Sequence, residues 1–270
     1  MTPSLASWFE TQTAPTPEAM LTGDGCHPDE ARALSDYLNK TISAEETARR
    51  ITAPIYNESN PPEELYRLWG LLSDGMVEMA ADDRCKIVDL LSHIQSLPLQ
   101  SGIVWAELSG FGSMWDSLNR LHLHGTDSWE RSVGSYGREE IHELRETFTA
   151  VGHAEAEMFL RGLVPADWGY VLLNLACSDR GGLEIFVSEI FAWLDTAGEK
   201  LKGEMARSKK EVRSFTRPMP NSPTRERMSI EGSIAEHWSS WKEVLLRLSQ
   251  EESGLSQEGR TIAGRCFELM

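Results

Sequence analysis

Apolar residues recur at helical spacing along most of the chain. Between residues 65 and 79, Leu65, Leu68, Trp69, Leu72 and Met76 occupy positions i, i+3, i+4, i+7 and i+11, which places their side chains on one face of an α-helix. Further stripes of this kind occupy residues 87–94, 141–158, 183–194, 234–248 and 262–269. Alternating β-branched runs, which would predict strands, are nearly missing. The pattern predicts an all-α fold, either an irregular multi-helix bundle or stacked helical hairpins around one core.

Capping residues predict where several helices begin. Ser43 stands three positions before Glu46, and Ser233 stands three before Glu236. This is the capping-box spacing, in which each side chain bonds a free backbone N–H of the other residue. The two boxes predict helices that begin just after the serines, and a further helix is expected over residues 28–39.

Two stretches lack the helical pattern. Residues 1–27 are rich in Thr, Pro and Ser, a composition that predicts a flexible N-terminal segment ahead of a single helical domain over 28–270. Residues 98–137 are rich in Gly, Ser and Trp and predict a loop-dominated segment with short helices.

A third stretch differs by its charge. Residues 200–227 contain nine Lys or Arg residues against three Glu residues, a local charge of +6 in a chain of net charge −16. Pro218, Pro220 and Pro223 cannot continue a helix. We therefore predict a mobile, basic, proline-containing connector at about 200–232. Its charge either complements the acidic remainder of the chain or docks onto an acidic partner.

The composition limits the compartment and the partners. The chain has 42 acidic and 26 basic side chains, so its surface repels nucleic acid and anionic membranes, and neither is expected as a partner. No apolar run approaches the roughly 20 residues that span a bilayer, and the N-terminus lacks the pattern of a signal peptide. The four cysteines are scattered and are expected to be reduced thiols. The predicted location is the cytoplasm, with the nucleus also compatible.

Several segments resemble a fungal family known only as domain of unknown function 3632. They are LYRLWGLL at 65–72, IVDLLSHIQSLP at 87–98, and VWAELSGF at 104–111 with Trp115 beyond it; Trp241 and residues 261–270 are similar to the end of that family. The resemblance covers roughly residues 60–270. It implies a fungal helical protein of the kind sometimes found near natural-product pathways, and it implies no catalytic residues.

The usual catalytic signatures are missing. The sequence has no glycine-rich phosphate loop, no dinucleotide fingerprint and no nucleophile elbow, which disfavours a nucleotide-dependent enzyme. His122 and His124 are two residues apart and would point in different directions on a helix, so a shared metal is not expected. We predict neither a cofactor nor a metal site.

Aromatic residues of the loop-rich segment are the first candidates for ligand binding. Large aromatic surfaces with few polar groups bind small apolar molecules, although tryptophans also serve as core anchors. Both interpretations stay open. The predicted substrate-binding residues are Trp105, Phe111, Trp115, Asp116, His122 and Trp129.

Two residues of the 141–158 stripe are candidates for proton transfer. His142 lies on a polar face of that helix, which is either solvated or the wall of a pocket with a general acid or base. Glu155 falls between the apolar positions 151 and 158. A lone buried carboxylate would have a raised pKa; the alternative is a structural pair with Arg145 or Arg161.

Two functions remain compatible with these features. The first is cofactor-independent binding or conversion of an apolar small molecule in secondary metabolism. The second is a non-catalytic module that interacts with a protein partner or with a second copy of the chain. The sequence leaves open whether the protein is an enzyme.

Overall fold

The computed structural model describes residues 5–16, 19, 25–120, 135–177, 182–208, 210–219 and 226–270. Within these ranges the chain forms eleven α-helices and a single two-stranded sheet, which confirms the prediction of an all-α, multi-helix fold. The helices are α1 Leu5–Gln12, α2 Pro28–Leu38, α3 Ala44–Thr52, α4 Leu65–Glu78, α5 Ala81–Gln95, α6 Phe111–Asn119, α7 Arg138–Leu160, α8 Asp167–Leu175, α9 Leu183–Arg207, α10 Ile234–Leu248 and α11 Gln257–Leu269. The strands are β1 Val212–Pro218 and β2 Arg227–Ser233, and 3₁₀ turns lie at Pro54–Asn57, Pro61–Glu64, Trp105–Glu107 and Glu251–Ser253.

The chain divides into two compact units, residues 1–124 and 125–270. We call them the N-terminal and C-terminal units. The boundary falls inside the stretch for which the sequence predicted loops. The expectation that residues 28–270 behave as one domain stays a prediction.

Helices α4 and α5 form an antiparallel hairpin in the N-terminal unit. Leu68, Leu72 and Leu91 are fully buried, as their helical spacing predicted. The two helices approach closely at Gly75, where an added β-carbon would lie 2.8 Å from Cδ1 of Ile87. The stripe of apolar residues on each helix therefore supplies the core of this unit.

Helix α1 lies within the segment for which the composition predicted flexibility. Its adjacent rings Trp8 and Phe9 are buried, and Nε1 of Trp8 donates to the Glu78 carboxylate at 2.6 Å. The backbone N–H of Cys26 donates to the carbonyl of Gln12 at 2.8 Å. Two neighbouring aromatic side chains thus bury enough surface to order a short helix in a Thr- and Pro-rich sequence.

Helices α7 and α9 form the centre of the C-terminal unit. Arg145 near the start of α7 pairs with Glu184 near the start of α9, while Lys200 late in α9 donates to the carbonyl of Phe159 at the end of α7. The two helices therefore run in the same direction. Their close contact requires glycine at position 152, where a β-carbon would lie 2.6 Å from the carbonyl oxygen of Glu189.

The predicted mobile connector is wrong over much of its length. Residues 201–207 continue helix α9, and β1 pairs with β2 as an antiparallel hairpin in which Phe215 faces Ile230. The half-buried side chains of β1 include Arg213, Phe215 and Arg217. Because two of these three are arginines, the alternation of buried and exposed positions does not appear as an alternation of apolar and polar residues.

Candidate functional site

The aromatic residues of the loop-rich segment are buried in the N-terminal unit. Trp105, Phe111 and Trp115 are 1%, 3% and 0% exposed. Their rings join two others in a continuous series of contacts, Tyr56–Trp105–Trp69–Phe111–Trp115, with centroid distances of 6.2, 6.2, 5.6 and 6.1 Å. We call this series the aromatic core. The three rings that were predicted to bind substrate fill space inside the unit.

Hydrogen bonds fix the aromatic core to the loop around it. Nε1 of Trp105 donates to the hydroxyl of Tyr56 at 3.0 Å, and Nε1 of Trp69 donates to the carbonyl of Ser109 at 2.9 Å. A buried indole N–H needs such a partner. The bonds therefore orient the rings and hold the 105–111 segment at the same time.

The backbone of this segment is unusually bent. Ser101 and Gly102 have φ values of +51° and +80° and form a tight turn in which the N–H of Ile103 donates to the carbonyl of Gln100 at 2.9 Å. Leu108 also has a positive φ, +45°. Non-glycine residues in this conformation are strained and concentrate at functional sites. The segment is therefore a candidate binding loop on a rigid scaffold.

A groove of about 460 Å³ lies beside the aromatic core. Its buried lining residues, which form the floor, include Leu65, Trp69 and Ile103. Tyr66 and Met114 form part of its more exposed walls. We call it the Trp69 groove. Its volume falls in the range of roughly 300–1,000 Å³ that is usual for small-molecule sites.

The polar groups of the Trp69 groove lie at its rim. Ser113 and Ser117, one helical turn apart on α6, present hydroxyls there, and Glu63 precedes α4. All three side chains are exposed. An apolar floor with a few hydroxyls at its edge can hold an apolar molecule and orient it through a small number of hydrogen bonds.

Of the remaining predicted binding residues, Asp116 is described and does not line this groove. Asp116 lies on α6 and forms an ion pair with Arg120 at 3.1 Å. His122 and Trp129 lie outside the residues that the structure describes. The groove therefore adjoins Trp105, Phe111 and Trp115 without being lined by them.

His142 lies on a solvated face of α7 in the C-terminal unit. Its ring is 3.7 Å from the carboxylate of Glu146, and both side chains are more than half exposed. This placement agrees with the simpler of the two interpretations of that face. A general acid or base needs a site from which water is partly excluded, and an exposed helical histidine provides none.

Glu155 is fully buried in the C-terminal unit. Its carboxylate accepts a hydrogen bond from Nε1 of Trp193 at 2.9 Å. Arg145, one of the two bases considered as its partner, instead pairs with Glu184 and Glu258. The carboxylate is thus enclosed between α7 and α9, where a substrate has no described route to it.

Sequence reasoning missed the residues that line the groove. Leu65 and Trp69 were correctly assigned to an apolar stripe, but a stripe does not reveal that part of one helix face borders solvent. Ile103 and Met114 come from a different part of the chain. The sequence did contain one indication of the groove, the glycines Gly102 and Gly110. Their φ values of +80° and +83° shape the loop that borders the groove.

The N-terminal unit also has a polar groove of about 420 Å³, lined in part by His27, Arg32, Arg50 and Glu58. Its arginines are already engaged, since Arg32 pairs with Asp29 and Arg50 with Asp36. This polar groove is therefore largely satisfied from within. The Trp69 groove is the better candidate for a ligand.

The described residues form neither a metal-binding cluster nor a membrane-spanning helix. Within those ranges, no three His, Cys, Asp or Glu side chains come together in a way that could hold a metal ion. No helix in the described parts of the chain has both the length and the hydrophobicity needed to cross a bilayer.

Comparison of the chain with protein-family models, curated proteins and solved structures finds no match. The resemblance to domain of unknown function 3632 therefore stays a prediction.

Proposed function

We propose that this protein binds a small apolar molecule in the Trp69 groove. The observation that carries the proposal is the combination of a buried apolar floor, formed by Leu65, Trp69 and Ile103, with hydroxyls at the rim. The aromatic core behind the floor is fully packed and hydrogen-bonded. A rigid floor lowers the ordering cost of binding, because the site needs little rearrangement.

Binding without conversion agrees best with the lining of the groove. Its described ionisable side chains are Glu63 and the phenol of Tyr66, and general acid–base chemistry requires groups held within hydrogen-bonding distance of the reacting atoms. His142 and Glu155, the predicted proton-transfer residues, belong to the other unit. We therefore propose a binding protein rather than an enzyme.

The proposal can be tested with an uncharged probe, biphenyl-4-methanol. We expect saturable chemical-shift changes at Tyr66, Ile103 and Ser113 when the probe is titrated into isotope-labelled protein. Met114→Gln keeps the side-chain size but removes apolar contact, and should weaken binding by about tenfold, which equals the loss of about 1.4 kcal/mol. Leu118→Gln, on the same helix but outside the lining, is the matched control.

A role in secondary metabolism remains part of the proposal and depends on the family resemblance.

Absence of any saturable change in the wild-type protein would contradict small-molecule binding in this groove. An equal loss of affinity in both variants would show that the probe binds elsewhere on α6.

One observation favours a second candidate, a protein-interaction surface. Leu99 is 70% exposed and lies three residues before Gly102, while Leu118 is 41% exposed and directly follows Ser117; Gly102 and Ser117 both line the groove. Exposed apolar side chains that gather at one place mark interaction sites. If a partner or a second copy of the chain binds there, Leu118→Gln should abolish the complex seen by light scattering, while Met114→Gln should weaken it less.

A further inference from the structure

We propose that the ligand of the Trp69 groove carries a positive charge on its apolar body. This inference deepens the binding function proposed above and depends on it. It follows from the charges of the two chain segments that supply most of the groove.

Every charged residue in these two segments is acidic. Residues 53–66 and 97–119 contain no Lys, Arg or His. Their acidic residues are Glu58, Glu63, Glu64, Glu107 and Asp116. A cleft with charges of one sign above a floor of low polarity concentrates the electrostatic potential and attracts ions of the opposite sign.

Two arginines, each directly following one of these segments in the sequence, pair with three of the five acids. Arg67, which is almost fully buried, pairs with Glu58 at 3.2 Å and with Glu64. Arg120 pairs with Asp116 at 3.1 Å.

For Glu63 and Glu107, the described part of the chain shows no ion pair. Both side chains are exposed. Glu63 also lines the groove, so it is the carboxylate that a bound cation would meet.

The ring of Tyr66 is a less favourable position for the ligand's charge than the carboxylate of Glu63. The guanidinium of Arg67 already lies over the ring of Tyr66, with 5.4 Å between Cζ and the ring centroid. A second cation over the same ring would be repelled. We therefore assign the ligand's charge to the carboxylate of Glu63 and its apolar body to the floor.

The competing explanation for Glu63 is structural. It lies in the 3₁₀ turn Pro61–Glu64 that leads into α4, and an acid near a helix N-terminus stabilises the helix without any ligand. Asp82 occupies the equivalent place in the first turn of α5. Because α4 and α5 are antiparallel, Asp82 lies about 20 Å away, at the opposite end of the hairpin. Asp82→Asn is thus a matched control for Glu63→Gln.

The test compares three probes that share one apolar body: biphenyl-4-methanamine, biphenyl-4-methanol and biphenyl-4-carboxylate. Each is titrated into the full-length protein at low and at high salt, and binding is followed by chemical-shift changes. An exposed ion pair is expected to make the amine bind about two- to fivefold more tightly than the alcohol at low salt. The carboxylate should bind most weakly, and high salt should reduce the differences.

The variants decide where the preference originates. Glu63→Gln should bring the affinity for the amine to that for the alcohol, and Asp82→Asn should keep the wild-type preference. Equal binding of amine and alcohol to the wild-type protein would overturn the inference and leave the binding function intact. Absence of saturable binding by all three probes would overturn the binding function itself. A preference reduced equally by both variants would trace it to the overall negative charge, which also overturns the assignment to Glu63.

Discussion

The aromatic core of the N-terminal unit and the hairpin of the C-terminal unit solve the same packing problem differently. Both lie in stretches where the helical pattern is interrupted. In the first, Trp105 and Trp115 bury large apolar rings and use few polar bonds. In the second, the hairpin is fastened by Arg217 and His237, which are held in place by hydrogen bonds. The comparison shows that an irregular stretch of sequence can be held in place by hydrogen-bonded polar groups, and not only by buried apolar rings.

The polar bonds around the hairpin form one connected cluster. Arg217 donates from Nε to Oδ1 of Asn174 at 3.1 Å and from Nη1 to Oγ of Ser240 at 2.9 Å. Its Nη2 lies 2.9 Å from Nδ1 of His237, and because a guanidinium can only donate, that ring nitrogen accepts. Nε2 of His237 then donates to the carbonyl of Arg213 at 3.0 Å. We call this set of residues the Arg217 cluster.

The two regions differ in what they leave available for a ligand. The Arg217 cluster directs its donors and acceptors toward one another, and Arg213 is engaged by Asp167 and Glu211 at 2.9 Å each. These pairs favour the interpretation that the basic stretch complements acidic residues of the chain itself. The rings of the aromatic core need no polar partners on the side that faces the groove. Trp69 therefore borders an apolar groove. A binding function therefore fits the aromatic region better than the hairpin.

The largest expected effect comes from removing a ring of the aromatic core. Trp115 is fully buried, and its replacement by alanine should lower the free energy of unfolding by about 3–5 kcal/mol, through lost burial and the cavity left behind. Leu118→Ala, in the same helix and partly exposed, is the control and should change stability by less than about 1 kcal/mol. Urea unfolding combined with hydrogen exchange would assign the loss to the N-terminal unit. Equal effects of the two substitutions would contradict the description of a packed core.

Breaking the Arg217 cluster should have a somewhat smaller effect. Arg217→Ala leaves Nδ1 of the buried His237 without its donor and removes one of the two donors to Oδ1 of Asn174. We expect a loss of about 2–3 kcal/mol, as is usual when charged hydrogen bonds are removed. Arg227→Ala removes an exposed arginine from the opposite strand and should change stability by about 0.5 kcal/mol or less. If Arg217→Ala is as mild as the control, the hairpin is held by its backbone pairs and the comparison fails.

A buried carboxylate in the N-terminal unit should make the stability of the protein depend on pH. Burial is the largest cause that raises the pKa of Glu30, from 4.5 to about 7; Glu58 adds to the rise, while the N–H of His27 and Arg67 oppose it. The folded state therefore holds this proton more tightly than the unfolded chain. Its stabilising effect is present below pH 4.5 and is lost as pH rises through about 7. Asp74, whose pKa burial raises to about 6, acts in the same direction.

A neutral replacement isolates the contribution of Glu30. Glu30→Gln keeps an acceptor for the N–H of His27, which Glu30 now binds at 2.9 Å. We expect it to stabilise the protein at pH 8 by about 1–3 kcal/mol, because a rise of the pKa from 4.5 to about 7 limits the gain to roughly 3 kcal/mol. At pH 4 it should change stability little. Urea midpoints across this range measure the effect. Glu46→Gln, at an exposed capping position of α3, controls for the general relief of negative charge and should show no comparable gain.

Much of the fold could be predicted because the signals were local. The stripes that run through α4, α5, α7 and α9 place helices correctly, and the serines at positions 43 and 233 cap the helices that they were predicted to cap. The hairpin was missed because its buried positions carry arginines whose partners lie on α8 and α10. A pattern of apolar and polar residues cannot report a buried position that is filled by a hydrogen-bonded charge.

The candidate site was predicted only in part, for a different reason. Trp105 and Trp115 lie in a segment that supplies part of the candidate groove, yet the groove is formed where that segment meets the start of α4. Whether a tryptophan fills a core or lines a groove depends on tertiary contacts that single-sequence spacing does not contain.

The smallest expected effect compares one helix cap from each unit. Ser233 caps α10 in a complete box, since its hydroxyl accepts from the N–H of Glu236 while the Glu236 carboxylate accepts from the N–H of Ser233 at 2.7 Å. For α3, the hydroxyl of Ser43 accepts from the N–H of Glu46 at 3.2 Å. Ser233→Ala should cost about 1–2 kcal/mol and Ser43→Ala about 0.5–1 kcal/mol. Urea unfolding of both variants measures the pair. A larger loss at Ser43 would show that single caps in the N-terminal unit matter more than its apolar packing suggests, and would weaken the contrast between a unit ordered by apolar contacts and one ordered by polar bonds.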